Sequence, residues 1–243
     1  MTDPANPTIR SYVKAPTSTH TVQCVSQDSC DYAYTAGEGG TFSVLDLRDL
    51  DRPAVLPVAP RSVASGPAGP NSPFGSGSGS GHYWEFEQDA PRADGTPGRR
   101  LGTHTGSGGA QVFDVSDPTK PVAIAATNAR ARTSPYNDFI LHNSMRPNSR
   151  KFVEGAPPSI ANGNVLLVTE EDYLDGGEEL ACDQAGSFQT WYVPTLDAAR
   201  YQADSAGGTL VDKGTIEPLD ITNAPSEFGG GATTPAGAFC SAH

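Results

Sequence analysis

Apolar and polar residues alternate over short stretches of this chain, with the two-residue period typical of half-buried β-strands. Residues 41–47 are the clearest example, and similar runs occupy residues 109–115 and 186–193. Each run begins at or just after a glycine, and a short apolar stretch ending in threonine lies upstream of it. These patterns predict many short strands joined by tight turns.

This pattern of short strand-like runs recurs on the C-terminal side of several histidines. Four of the five histidines open a similar stretch of sequence, at His20, His82, His142 and His243. A repeat that begins with the same polar residue places that residue at an equivalent position in every copy. The sequence therefore predicts three repeats and the first residue of a fourth.

Within the repeats, the strongest internal similarity joins residues 45–53 to residues 113–121. In both, an aspartate stands between apolar residues, and an Asp-containing turn and a proline follow. Asp46 and Asp114 are expected to hold this turn through backbone hydrogen bonds. Each unit then reads as three strands, an Asx-type turn and an outer strand.

Four short strands per unit, repeated along the chain, predict an all-β fold of the β-propeller type. The predicted blades cover residues of about 17–59, 82–127 and 140–225, with a further blade starting at 238–243. Residues 1–16 form an N-terminal extension, and residues 60–81 are a flexible Gly/Ser/Pro-rich loop. Three blades do not close a ring, so the chain is expected to be part of a larger propeller. The alternative is a β-sandwich of unrelated hairpins.

Composition narrows the class of partner. A chain of 243 residues with 36% hydrophobic residues, 27 glycines and 21 prolines is globular and rich in turns. The net charge of −12 disfavours nucleic acid and anionic membrane surfaces, which attract basic patches. No apolar run is long enough to predict a membrane-spanning helix.

The cysteines bear on the cellular compartment. Cys24 and Cys30 flank a turn-like segment, and Cys182 and Cys240 form the other possible pair. An even count near repeat boundaries favours two disulfides and a secreted or extracellular protein, the alternative being four reduced thiols. The first ten residues lack the apolar stretch of a signal peptide, which taken alone predicts the cytoplasm.

Residues 39–53 and 112–122 resemble the LVIVD repeat, named for its apolar-Asp-apolar core. Residues 142–147, 164–172 and 239–243 resemble secreted bacterial proteins that carry such repeats. The resemblance covers most of residues 17–193 and the last five residues. It implies an exported β-propeller of largely unassigned biochemical role. Such relatives begin with an export signal and continue further, which again predicts a fragment.

In a propeller the innermost strand of each blade lines a central channel. His20, His82, His142 and His243 are therefore expected to converge, and a ring of imidazoles with an open position can hold zinc, copper or iron. His104, on a second strand, is a weaker candidate. The alternatives are histidines bonded to backbone or water at the channel mouth, and acid/base chemistry without a metal.

Other candidate chemistry is weaker. The acidic residues between 170 and 179 lack the spacing of an EF-hand and predict a solvated loop more than a calcium site. No hydrolase elbow, Walker loop or dinucleotide fingerprint is present.

Two functions remain from the sequence, besides a purely structural repeat module. The first is a non-enzymatic scaffold that binds a protein or cell-surface partner through its loops. The second is a metal-dependent enzyme, redox or hydrolytic, that uses the channel histidines. A distant similarity to selenium-binding-protein-type propellers, without a residue-by-residue motif match, supports this second function.

Overall fold

A computed structural model describes residues 5–16, 18–26, 28–37, 42–57, 81–91, 94–127, 140–171, 187–199, 201 and 215–222. These residues form three four-stranded antiparallel sheets. Sheet 1 contains β1 (Thr21–Cys24), β2 (Tyr32–Ala36), β3 (Val44–Asp46) and β4 (Ala54–Val55). Sheet 2 contains β5 (Gly81–Gln88), β6 (Arg100–Gly106), β7 (Gly109–Asp114) and β8 (Val122–Ala126). Sheet 3 contains β9 (Ile140–Met145), β10 (Val165–Glu171), β11 (Phe188–Tyr192) and β12 (Glu217–Thr222).

Strand order within each sheet follows the order of the chain, so every sheet is an up-and-down meander. The predicted all-β class and the four strands per unit are confirmed. Two 3-10 helices, Ser149–Lys151 and Ile160–Asn162, lie in the connection from β9 to β10. In the first unit, the outer strand predicted after the Asx-type turn, at residues 54–58, is limited to Ala54–Val55.

Aspartate side chains form the predicted turns after β3 and β7. Asp46 Oδ1 accepts a hydrogen bond from the backbone N–H of Arg48 at 3.1 Å. Asp114 Oδ1 accepts from the backbone N–H of Ser116 at 2.9 Å in the same way. These bonds satisfy backbone donors where each strand ends, and they fix the direction in which the chain returns to the outer strand.

Aromatic side chains fill the interface between sheets 1 and 2. The Trp84 ring lies with its centroid 5.1 Å from that of Tyr34 and 4.7 Å from that of Phe42, both edge to face. Its indole N–H donates to the carbonyl oxygen of Thr35 at 2.9 Å. Phe113 adds a second ring from sheet 2. One residue of β5 is thus held by sheet 1 through both packing and a hydrogen bond.

Aliphatic residues and a second tryptophan fill the interface between sheets 2 and 3. Leu101 and Val112 of sheet 2 belong to one buried cluster with Leu166, Val168 and Trp191 of sheet 3. Nearly every residue of β6 and β7 is buried, because sheet 2 is covered on both faces. The core therefore runs through three layers in chain order.

The predicted disulfide between Cys24 and Cys30 is confirmed. It closes the connection from β1 to β2, where the sequence places a turn. Cys182 and Cys240 lie outside the described residues. Across the described part of the chain, no helix is long and apolar enough to cross a membrane.

We expect Trp84→Ala to lower the free energy of unfolding by about 3–5 kcal/mol, because it removes a fully buried ring and leaves a cavity between sheets. Urea unfolding followed by far-ultraviolet circular dichroism measures the change. Val122→Ala is the matched control on a side chain that is 42% exposed, and it should stay within about 0.5 kcal/mol of the parent. Equal losses for both variants would contradict this placement of the core.

Candidate functional site

Three of the four repeat histidines meet at one end of the sheets. His20 directly precedes β1, His82 is the second residue of β5, and His142 is the third residue of β9. The ring centroids of His20 and His82 lie 4.2 Å apart, and those of His82 and His142 lie 4.1 Å apart. We call these three side chains the histidine row. His243 lies outside the described residues.

Hydrogen bonds between the first strands hold the row in place. His82 Nδ1 lies 3.1 Å from the carbonyl oxygen of His142, and Thr105 Oγ1 donates to the same oxygen at 3.1 Å. Thr21 Oγ1 donates to the carbonyl oxygen of His82. In sheets 2 and 3, the carbonyl oxygen of the row histidine therefore accepts a hydrogen bond from the preceding sheet.

The bond from His82 fixes its tautomer. A carbonyl oxygen only accepts, so Nδ1 carries the proton, and in the neutral ring Nε2 keeps its lone pair. His82 is 4% exposed, whereas His20 is exposed and His142 is half-buried. The row thus has an oriented, buried ring as its middle member and more accessible rings on either side.

His104 has a different environment. It is fully buried, and its ring stacks in parallel on Trp84 at a centroid distance of 4.4 Å. Burial, with a smaller contribution from His82, lowers the pKa of His104 to about 3. The weaker metal candidate from the sequence is thus a neutral core residue of the interface between sheets 1 and 2.

As the rings stand, no three His, Cys, Asp or Glu side chains in the described ranges form a group that could hold a metal ion. The proposed calcium alternative falls mostly on residues 172–179, which lie outside those ranges. Glu170 departs from the predicted solvated loop, because it is completely buried. Its carboxylate accepts from the backbone N–H and the hydroxyl of Ser187, at 3.1 and 2.6 Å. Glu170 therefore ties β10 to the start of β11.

The opposite end of the sheets carries one buried and one partly buried ion pair that sequence reasoning missed. Arg146, at the end of β9, contacts Glu87 of β5 at 2.7 Å and donates to the carbonyl oxygen of Gly163 at 2.6 Å. Burial raises the pKa of Glu87, and Arg146 opposes that shift. Arg99 likewise contacts Asp89 at 2.7 Å and donates to the carbonyl oxygen of Leu196. The only sequence signal was the position of these charges next to strand ends.

The connections at that end also bond to one another. The backbone N–H of Gly155 donates to the carbonyl oxygen of Pro194, and Thr195 Oγ1 donates to Glu154. Ser149 Oγ donates to the carbonyl oxygen of Gln88. The two ends of the sheets therefore differ: one is tied together by loops and ion pairs, and the other carries the histidine row.

Comparison with protein-family models, with curated proteins and with solved structures finds no match to this chain. The resemblance to the LVIVD repeat therefore remains a prediction from the sequence.

We expect His104 to make folding stability depend on pH. Its folded-state pKa lies below the ordinary value of 6.5, so the unfolded chain takes up the proton first as pH falls. The stabilising contribution is complete above about pH 6.5 and is lost as pH falls toward 3, by about 2 kcal/mol between pH 7 and 5.

The measurement is urea unfolding of the parent and of His104→Gln at pH 7 and pH 5. The variant loses packing against Trp84 and is less stable at pH 7, but its further loss at pH 5 should be smaller by about 2 kcal/mol. An identical pH dependence in both proteins would show that His104 does not carry the effect.

Proposed function

We propose that this chain is an exported binding protein of the LVIVD-repeat, β-propeller type, with its recognition site at the end that carries the histidine row. Three consecutive meander sheets that pack in chain order support the propeller type. Equivalent residues lying together at one end of successive first strands support it further. The Cys24–Cys30 disulfide supports an oxidising, extracellular compartment.

The histidine row is the observation that carries the choice of this end. His20, His82 and His142 project from the starts of rigid strands, so their spacing is set by sheet packing and not by loop conformation. Strands β4, β8 and β10 also end on this side of the sheets. A protein or cell-surface partner would meet a row of imidazoles whose spacing is held by the packing of the sheets.

A photo-crosslinking experiment tests which end binds a partner. We expect Thr19→p-benzoylphenylalanine, next to the row, to give a discrete adduct with a component of the extracellular fraction or cell surface of the encoding organism. Ile160→p-benzoylphenylalanine is the matched control, because it is exposed at the opposite end of sheet 3. Mass spectrometry identifies the adducts. Equal adducts at both positions, or an adduct at residue 160 alone, would refute the assignment.

A second candidate function, uptake of a transition-metal ion, is favoured by the hydrogen bond of His82. Ligating histidines commonly donate the other ring N–H to a carbonyl oxygen, which orients the ring and makes the ligating nitrogen more basic. The Nδ1 contact of His82 with the carbonyl oxygen of His142 has this form. His82 Nε2 is thus prepared as a ligand for copper, zinc or iron.

Binding requires a rearrangement of the flanking rings. The three side chains do not form a metal group as they stand, but His20 is exposed and His142 is half-buried. Both rings would have to rotate so that one nitrogen of each faces an ion held by Nε2 of His82. Three protein ligands leave a coordination position open, and an ion held in this way can polarise a bound water or exchange an electron. That chemistry corresponds to the hydrolytic or redox enzyme of the sequence analysis.

We expect the full chain to bind Cu²⁺ or Zn²⁺ at near one ion per chain, and His82→Ala combined with His142→Ala to weaken binding by at least about tenfold. Equilibrium dialysis with elemental analysis, together with calorimetric titration, measures both. His104→Gln is the control within the same sheet, and it should retain the ion because residue 104 is buried against Trp84.

Thermal melting should show that each variant remains folded. Binding of equal strength to the parent and the double variant would mean that the ion binds outside the histidine row. A parent chain that takes up neither ion would remove this candidate altogether.

A further inference from the structure

Sheets 1 and 3 each have a face turned away from sheet 2. In sheet 1, residues paired across strands share a face, which places Val22 with Thr35, and Ala33 with Leu45. This outer face is opposite to the one that carries Tyr34, which packs on Trp84. Sheet 1 therefore has an apolar surface that no other described sheet covers.

Residues from the N-terminal extension lie over the outer face of sheet 1 instead. Residues 12–15 line one side of a groove of about 360 Å³, and Val22, Thr35 and Leu45 line the other. Arg10 anchors this segment through two bonds to the carboxylate of Asp51, at 2.6 and 2.8 Å. We call residues 10–16 the N-terminal cap.

The cap occupies the place that a preceding sheet takes elsewhere in the molecule. Counting from the repeat histidines, Val22 corresponds to Trp84 of sheet 2, and the cross-strand partners Thr35 and His104 correspond as well. In sheet 2 these positions are covered by sheet 1. The cap therefore covers this face of sheet 1 only in part, since Thr35 is buried whereas Val22 is 49% exposed.

The outer face of sheet 3 is less completely covered. Met145 pairs with Leu167, and Phe188 pairs with Thr169 two residues further along the same strand, so these side chains share a face. Met145 is 59% exposed and Phe188 is 41% exposed. This face corresponds to the faces of sheets 1 and 2 that each receive the next sheet. Leu167 and Thr169 of β10 lie between these two side chains on the same face.

We propose that the outer face of sheet 3 binds the outer face of sheet 1 in a second copy of this chain, which displaces the N-terminal cap. The second copy is the occupant because the same two kinds of face already pack twice within one chain, sheet 1 on sheet 2 and sheet 2 on sheet 3. The contact between copies would repeat the packing already seen between sheets 1 and 2 and between sheets 2 and 3.

Head-to-tail pairing also extends the histidine row. His20 of the second copy would come next to His142, as His82 lies next to His20 within one chain. Two reciprocal contacts between the described sheets of two copies would place six sheets in one ring, within the range of about four to eight for propellers. This inference does not depend on the binding of a partner or a metal.

The cap makes the association controllable. Arg10 and Asp51 have side chains that are 60% and 64% exposed, so their ion pair is weak and is screened by salt. Salt also screens the repulsion between two chains that each carry a net charge of −12. Raised ionic strength therefore favours release of the cap and pairing of the faces.

Sedimentation velocity of the full chain tests the proposal. We expect the parent to sediment as a monomer at low salt, and Arg10→Glu, which repels Asp51, to tighten association into a discrete dimer by about threefold, the size expected for loss of an exposed ion pair. Adding Met145→Lys to Arg10→Glu should reverse that gain. Adding Val122→Lys, a matched change on an exposed strand residue of sheet 2, should not.

A charge swap tests the cap directly, because Arg10→Asp combined with Asp51→Arg should restore the monomer. Residues 10 and 145 are exposed, so these variants should retain the parent melting temperature. Unchanged association in Arg10→Glu would overturn the proposal. So would association that Met145→Lys leaves intact, or association into a broad range of sizes without a dimer.

Discussion

The burial of sheet 2 on both faces is the constraint on which the rest of the structure depends. Its two central strands have almost no exposed side chain, because Trp84 and Phe113 pack on sheet 1 while Leu101 and Val112 pack on sheet 3. A single four-stranded meander has no partner for either face, so one repeat alone cannot bury enough apolar surface to fold. Stability is therefore a property of neighbouring repeats, and each interface fixes the register of the next sheet.

Register is also what brings the histidines together. His20, His82 and His142 are far apart in the chain, but each stands at the start of the first strand of its sheet. Once the sheets are packed face to face in order, equivalent positions of those strands become neighbours in space. The bonds from Thr21 and His82 to histidine carbonyl oxygens then hold the strands at this spacing. The row is thus a consequence of repeat packing, and its geometry is only as rigid as the two interfaces.

The features that were predictable from the sequence are local ones. Strand alternation, the Asx turns at Asp46 and Asp114, and the Cys24–Cys30 pair depend on residues close together in the chain. The burial of His104 was not predictable. Alternation places its side chain on the face of the sheet opposite to those of Thr103 and Thr105, but it does not show that both faces are covered. The Arg146–Glu87 pair was missed for a similar reason. A charged residue at a strand end looks the same in sequence whether the partner sheet leaves it in water or encloses it.

The histidine row and the outer faces of sheets 1 and 3 both depend on how the sheets pack. Within the described residues, the histidine row runs from His20 to His142, and the outermost sheets are the same two: sheet 1 under the N-terminal cap, and sheet 3 with Met145 and Phe188 exposed. A ligand that contacts two histidines spans an interface between sheets, so it stabilises the packed array relative to separated sheets. Conversely, any contact that adds a sheet at either end adds a neighbour to the row. If a ligand binds the row and a second copy binds the outer faces, as we propose, the two binding events would be coupled through the packing of the sheets.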